Sequence, residues 1–122
     1  MGKYTDIAKT LYSYFSQFCP CYAKGNIPNN ATRPYITYTV DDTPEFEDNI
    51  IQVMVYTETK SLSKVAEIVD KIEESLGEGI TIKANGPSFT SMYLRKGSPF
   101  AQYMNDDDTE MSAYINIINK IL

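Results

Sequence analysis

The chain has 122 residues and a formal net charge of −5 at pH 7, with 43% hydrophobic and 22% charged residues. This length fits one domain with its own core, and the composition is that of a globular protein rather than a disordered one. The negative charge argues against a nucleic-acid-binding surface, and the absence of histidine removes the commonest acid–base catalyst and metal ligand. We therefore expect a single intracellular, soluble domain over residues 1–122 that is not an enzyme.

The apolar runs and the cysteines indicate neither a membrane segment nor a cofactor. The strongest apolar run, residues 50–56, is far shorter than the roughly 18 to 20 residues of a membrane helix. Only Cys19 and Cys21 are present, whereas a structural zinc site needs about four ligands, and their spacing is one residue short of the C-x-x-C redox motif. We expect ordinary thiols near the end of a helix, no cofactor and no membrane partner.

The first half of the chain predicts a helix followed by two antiparallel strands. Apolar residues recur at helical spacing over residues 3–17, and Pro20 ends this helix. Residues 34–40 and 49–57 alternate with a period of two and are rich in β-branched and aromatic residues, which is typical of strands. The short acidic connector between them, residues 41–48, favours a hairpin.

The second half predicts another helix and three more strands. An apolar stripe over residues 62–76 indicates the helix, with Ser61 as its N-cap and Gly77 as its stop. Two alternating segments then flank an Asn-Gly pair, which is the strongest short hairpin signal. The two segments of this hairpin are residues 80–84 and 88–94, and its turn is Asn85-Gly86. The last strand of the chain covers residues 110–119.

This order of elements predicts the fold class. Each helix has one apolar stripe, and a helix of this kind must bury its stripe against another layer. Alternating strands joined by short connectors form an antiparallel sheet that one layer of helices can cover. We predict an α+β fold, a two-layer, mainly antiparallel β-sheet with two helices packed on one face.

A long connection over residues 96–109 is the first candidate interaction site. Connections of this length are uncommon in compact domains and are usually functional or disordered. Ser98-Pro99 suggests an N-cap followed by proline at the first position of a short helix. Three large apolar side chains would share one face of that helix: Phe100, Tyr103 and Met104. They either meet a partner surface or fold back over the domain's own core.

The tyrosines give a second set of candidates. The chain has ten tyrosines and no tryptophan. Alternation places Tyr35, Tyr56 and Tyr114 opposite the aliphatic rows of their strands. Tyrosine is enriched at protein interfaces, and we name Tyr35 and Tyr114 as interface candidates. The alternative is that these are half-exposed strand tyrosines, favoured by their β propensity alone.

The arrangement of elements resembles the phage tail-terminator family, also called tail-completion or head–tail joining proteins. The similarity lies in an N-terminal helix followed by a Pro-Tyr-Ile-x-Tyr strand, residues 34–38, an acidic connector, and a hydrophobic strand, residues 50–56. A helix of about fifteen residues, a hairpin and a final strand follow. The resemblance spans nearly the whole chain as a pattern of elements. Tyr114-Ile115-Asn116 stands where arginine-rich sequences are common in the family, so no site residue is carried over.

The resemblance implies a structural function. Members of the family form ring-shaped hexamers that cap the tail tube and present a surface to the head connector. The implied partners are other copies of the chain, the tail tube protein and the head connector protein, without specific nucleic-acid binding. The implied location is the virion tail, assembled in the bacterial host cytoplasm. The alternatives are another neck or minor capsid component and a small ligand-binding regulatory domain.

Nine of the sixteen acidic residues lie in two connectors. Eight of them are candidate loop sites: Asp41, Asp42, Glu45, Glu47, Asp48, Asp106, Asp107 and Asp108. Consecutive carboxylates can bind Ca²⁺ or Mg²⁺, and a metal-dependent hydrolase would use the last three, but neither run has the spacing of a calcium loop. Solvated loop charge is the simpler interpretation. In a ring, acidic loops facing the lumen would repel passing DNA.

Overall fold

One mixed, mostly antiparallel sheet and two helices build the protein. The computed structural model describes residues 2–41, 44–58, 62–105 and 111–122. The elements in chain order are α1 (Lys3–Phe15), β1 (Cys21–Ala23), β2 (Tyr35–Tyr38), β3 (Asp48–Thr57), α2 (Leu62–Leu76), β4 (Ile80–Lys83), β5 (Ser91–Asn105) and β6 (Met111–Ile121). Within the described residues the strand order is β1-β2-β3-β6-β5-β4. β1 and β2 pair in parallel, and the other neighbours pair antiparallel.

Both helices cover the same face of this sheet. The stripe of α1 buries Ile7, Leu11 and Phe15, and the stripe of α2 buries Val65, Val69, Ile72 and Leu76. They meet alternate residues of the central strands, which are fully buried: Ile51, Val53, Val55, Ala113, Ile115 and Ile117. The Phe15 ring stacks on that of Tyr38 with centroids 5.4 Å apart. The predicted α+β class with two helices on one face is confirmed.

The helix bounds follow the predicted stop signals closely. α1 ends at Phe15, two residues earlier than predicted, and the backbone N–H of Ser16 still donates to the carbonyl of Tyr12 at 3.0 Å. α2 ends at Leu76 as predicted. Gly77 follows with φ of +52°, a left-handed conformation that glycine adopts without strain. The predicted N-cap Ser61 lies outside the described residues.

The β4–β5 hairpin is confirmed, but its turn is wider than the Asn-Gly pair predicts. Lys83 pairs with Ser91, so residues 84–90 form the loop, and β5 begins three residues later than predicted. A tight turn is displaced here because α1 binds the loop. The Thr10 hydroxyl accepts a hydrogen bond of 2.9 Å from the backbone N–H of Asn85.

The predicted long connection with a short helix is wrong. Residues 96–105 belong to β5, which continues alongside β6 to Asn105. The Ser98-Pro99 signal marks a bulge rather than a helix start, because the four residues between Lys96 and Ala101 lie opposite Asn116 alone. A Cβ atom at Gly97 would lie 2.9 Å from the Cβ of Asn116, so glycine permits the close approach of the two strands.

A short parallel edge strand was not predicted. β1 has only three residues, and Cys21 pairs with Ile36 of β2. Cys21 is buried under α1, where its thiol donates to the carbonyl of Tyr12 at 3.6 Å. Among the described residues no helix has the length and hydropathy required to cross a membrane.

Candidate functional site: the open face of the sheet

The second face of the sheet carries neither α1 nor α2. The side chains that alternate with the core rows lie on it, and we call it the open face. Its large apolar and aromatic residues are Tyr22, Tyr35, Ile50, Met54, Tyr56, Tyr93, Met104, Tyr114 and Ile118, and it also carries polar residues such as Gln52, Arg95 and Lys120. Ile50 is 57% exposed and lies directly opposite Ile118 on the neighbouring strand. The open face therefore carries large apolar side chains among its polar ones, whereas the outer row of an antiparallel sheet that faces water is usually polar.

Three tyrosine rings of the open face are packed against one another. The centroids of Tyr22 and Tyr35 are 5.7 Å apart in an edge-on arrangement, and those of Tyr35 and Tyr56 are 5.1 Å apart. The Arg33 guanidinium lies 4.8 Å from the centroid of the Tyr56 ring and donates to the carbonyl of Thr57 at 3.2 Å. Rings held in this way lose little conformational entropy when a partner covers them.

A pocket of about 280 Å³ adjoins this tyrosine cluster. We call it the open-face pocket. Its apolar walls are Ile27, Met54, Tyr56 and Tyr114, and its polar groups are Lys24, Thr37, Thr39 and Gln52. The Thr39 hydroxyl accepts a hydrogen bond of 3.1 Å from the backbone N–H of Gln52, which fixes the floor. Ligand pockets usually exceed about 300 Å³, so this one suits a single large side chain or a small molecule.

The predicted tyrosine candidates come together on the open face. Tyr35 and Tyr56 are cross-strand neighbours, and Tyr114 pairs with Met54 one strand further along. All three are half-buried and lie opposite the aliphatic rows, as the alternation predicts. Their role in an interface stays a prediction.

The predicted grouping of Phe100, Tyr103 and Met104 on one face is wrong. A strand rather than a helix carries them, so successive side chains alternate between faces. Met104 pairs with Ser112 on the open face, whereas Tyr103 pairs with Ala113 on the face that carries α2. Phe100 lies in the bulge and packs partly against the core. Tyr103 and Met104 are 41% and 40% exposed.

The surroundings of Tyr103 confirm that it lies beside α2. Burial raises the pKa of Tyr103, and the carboxylates of Asp70 and Glu73 on α2 raise it further. The phenol therefore stays protonated at neutral pH. Of the three predicted residues, only Met104 belongs to the open face.

The described acidic candidates are exposed, and one of them forms ion pairs. The Asp48 carboxylate lies 3.3 Å from the Arg95 guanidinium and 3.6 Å from the Lys120 ammonium. The Asn49 amide donates to the Asp41 carboxylate at 3.5 Å. Glu45 and Glu47 lie in the β2–β3 connector with exposed side chains.

The acidic candidates do not assemble into a metal site in the part of the chain that the structure describes. There, no group of three or more His, Cys, Asp or Glu side chains could hold a metal ion. Four predicted residues lie outside the described residues: Asp42, Asp106, Asp107 and Asp108.

Sequence reasoning missed Phe46, which lies between Glu45 and Glu47. Its ring is 67% exposed, and its φ of +64° places a bulky residue in the left-handed region. This conformation costs a non-glycine residue on the order of 1–2 kcal/mol. The backbone N–H of Phe46 donates to the carbonyl of Ile121 at 2.8 Å, which holds the residue at the end of β6. Phe46 thus combines a strained backbone conformation with an aromatic ring that is exposed to solvent.

A shallower cavity of about 340 Å³ lies between α1 and β1, against Tyr12, Cys21 and Tyr38. Burial raises the pKa of the Cys21 thiol to about 11 and that of Tyr38 to about 12. A protonated thiol and a protonated phenol are poor nucleophiles at neutral pH. Cys21 and Tyr38 therefore do not make this cavity a candidate site for nucleophilic catalysis.

The chain matches no protein-family model and no curated protein.

Proposed function

We propose that this protein is a structural subunit of a phage or prophage tail, which assembles into a closed ring that caps the tail tube and joins it to the head connector. The open face is the observation that carries the proposal. It presents tyrosine, methionine and isoleucine side chains, and aromatic residues and methionine are enriched at the buried centre of protein interfaces. The arrangement of elements, which resembles the tail-terminator family, supports the same function.

The mechanism is steric and cooperative rather than chemical. Each subunit buries part of its open face against a neighbouring subunit. A head-to-tail contact of this kind closes into a ring when the rotation between neighbouring subunits fits a whole number of times into a full turn. The closed ring, a hexamer in the family, then offers one surface to the tail tube protein and another to the head connector protein. With a net charge of −5, its subunits repel DNA that passes through the lumen.

The open-face pocket favours a second candidate, a small regulatory domain that binds a ligand. Thr37 and Gln52 could orient a polar group, and the apolar walls could bury the rest of a small molecule. A protein of this kind can act as a monomer. Oligomeric state therefore separates the two candidates.

A double substitution on the open face, outside the pocket, tests the ring. We expect the wild-type protein to sediment as one large species and Tyr35→Ser, Met104→Ser to sediment as smaller species, because the substitutions remove apolar contact area. The control is Tyr4→Ser, Leu62→Ser, which replaces one aromatic and one aliphatic side chain that are exposed on the helices, and it should assemble normally. Circular dichroism establishes that both double variants are folded, because Tyr35 is packed between two rings. A wild-type protein that stays monomeric at every concentration would contradict the ring and favour the ligand-binding domain.

A further inference from the structure

Phe46 has a fixed backbone and an exposed side chain. Its N–H is hydrogen-bonded to Ile121 at 2.8 Å, and its left-handed φ of +64° turns the chain at this residue. The ring is nevertheless 67% exposed. Large aromatic side chains are typical interface anchors, and a backbone fixed before binding reduces the entropy that is lost when such a ring is covered. Phe46 therefore has the properties of a protruding anchor.

The open-face pocket has the matching properties of a receptor. Its volume of about 280 Å³ fits one large side chain, and Met54, Tyr56 and Tyr114 give it apolar walls. Methionine adapts its shape to an inserted ring and makes favourable contacts with aromatic groups. An aromatic side chain that enters this pocket would be buried among aromatic and thioether groups.

The charges around the two features are complementary. Phe46 is flanked by the exposed carboxylates of Glu45 and Glu47. Lys24 lines the pocket, and the Arg33 guanidinium lies against the ring of Tyr56, which forms one of the pocket walls. Opposite charges around an apolar contact favour encounter in one orientation and suppress others.

Phe46 cannot reach the open-face pocket of its own chain. It lies two residues before the start of β3 at Asp48, whereas Met54 lies six residues further along that strand. At about 3.4 Å per residue, roughly 20 Å separate Asp48 from Met54. Even Gln52, the lining residue nearest to Asp48 along β3, lies roughly 14 Å away, which exceeds the reach of a phenylalanine side chain. A Phe46 side chain that enters this pocket must therefore come from another copy.

We propose that Phe46 of one copy inserts into the open-face pocket of the next copy, with Glu45 and Glu47 facing Lys24. This inference rests on the proposed ring and names its repeated contact. The anchor and the pocket are different surfaces, so each copy uses its anchor on one neighbour and its pocket on the other. A contact of this kind is heterologous, and it generates a closed ring when repeating the rotation from one copy to the next returns to the first copy.

Two single variants interrupt the contact from opposite sides. Phe46→Ala removes the anchor, and Met54→Glu places a carboxylate in the pocket. We expect each variant to need roughly tenfold or more protein than wild type for assembly, as loss of an interface anchor does. The control Tyr12→Ala removes a similarly exposed aromatic ring from α1 and should assemble as wild type. Circular dichroism at the assembly temperature establishes that each chain is folded.

Mixing the two variants is the decisive experiment, read by sedimentation velocity. The Met54→Glu chain retains its Phe46, and the Phe46→Ala chain retains its pocket, so an equimolar mixture should form a heterodimer that does not grow into a ring. Because the heterodimer has a single contact, the mixture is examined well above the concentration at which wild type assembles, and a mixture that stays monomeric there would overturn the inference.

If Met54→Glu does not fold, exchanging the charges of the proposed pair tests the same contact. We expect Lys24→Glu to weaken assembly, and we expect the triple variant Lys24→Glu, Glu45→Lys, Glu47→Lys to restore it. Lack of restoration contradicts the pairing. If wild type forms rings and Phe46→Ala assembles equally well, this inference fails while the ring stands. If wild type is monomeric at every concentration, the proposed function itself fails.

Discussion

The carboxylate of Asp6 on α1 accepts a hydrogen bond of 2.8 Å from the backbone N–H of Ser88 in the β4–β5 loop. Asp6 is only 1% exposed, and it packs so closely on Gly86 that a Cβ atom there would collide with the carboxylate. Hydrogen bonds from the side chain and the backbone of Ser88 hold the pKa of Asp6 below its ordinary value of 3.8. A charged group on a helix thus joins α1 to a loop 82 residues further along the chain.

We expect Asp6→Asn to lower the melting temperature at pH 7. Because the folded-state pKa of Asp6 is lowered, its stabilising contribution is complete above the ordinary pKa and is lost as the pH falls through the folded-state value. The difference in melting temperature between wild type and Asp6→Asn should therefore narrow below pH 3.8. Thermal unfolding followed by circular dichroism from pH 7 to strongly acidic pH measures this difference.

The control is Glu74→Gln, which alters an exposed carboxylate on α2 and should change the melting temperature little at any pH. A difference for Asp6→Asn that has the same size at neutral and strongly acidic pH would show that lost packing, and not the ionised carboxylate, explains the effect.

We expect Asn119→Leu to stabilise the protein. Asn119 lies in the buried row of β6, and its side-chain oxygen has no hydrogen-bond partner among the described residues. A buried polar group without a partner costs about 1–3 kcal/mol, and an apolar side chain of similar shape avoids that cost. The free energy of unfolding in urea should rise by about 1 kcal/mol. The control Asn116→Leu removes a hydrogen bond of 3.0 Å to the carbonyl of Pro99 and should not stabilise, and equal effects of the two variants would refute the explanation.

We expect both cysteines to react slowly with thiol reagents in the folded protein. Burial raises the pKa of Cys19 and of Cys21 to about 11, and the neighbouring Cys21 adds to the effect on Cys19. Only roughly one thiol in a thousand is then ionised at pH 8, and the thiolate is the reactive form. Iodoacetamide labelling read by mass spectrometry should be slow in buffer and fast in denaturant. Rapid labelling of folded protein at pH 8 would contradict these surroundings.

The parts of the fold that the sequence predicts are those in which local pattern and burial agree. Residues 62–76 form an amphipathic stripe that only a helix can bury on one side, and α2 has those bounds. The alternation over residues 49–57 likewise predicts β3 to within one residue. The face on which Tyr35 and Tyr114 lie follows from the same period, since successive strand residues point to opposite faces.

The parts that could not be predicted depend on neighbours distant in sequence. Gly97 and Pro99 are local signals of a broken strand, yet β6 supplies a long partner that keeps this segment in β5 around a bulge. The three residues of β1 are too few for any period to show. The sequence of α1 predicts a surface position for Asp6, and its burial depends on the distant β4–β5 loop that packs over it.

The most informative part of the site was also hidden from the sequence. A left-handed φ is usually signalled by glycine or asparagine, and Phe46 gives no such signal. Its conformation is fixed by a hydrogen bond to Ile121, 75 positions away in the chain, which only the folded sheet brings near. The open-face pocket is similarly formed by residues from β2, β3, β6 and the segment after β1.

Native mass spectrometry of the wild-type protein over a wide range of concentrations tests the ring most directly. We expect one dominant species at the mass of a hexamer of the 13.8 kDa chain, which persists on dilution because every subunit of a closed ring holds two neighbours. A protein that remains at the mass of one chain at all concentrations, or that grows into an open series of masses without a closed species, would contradict it.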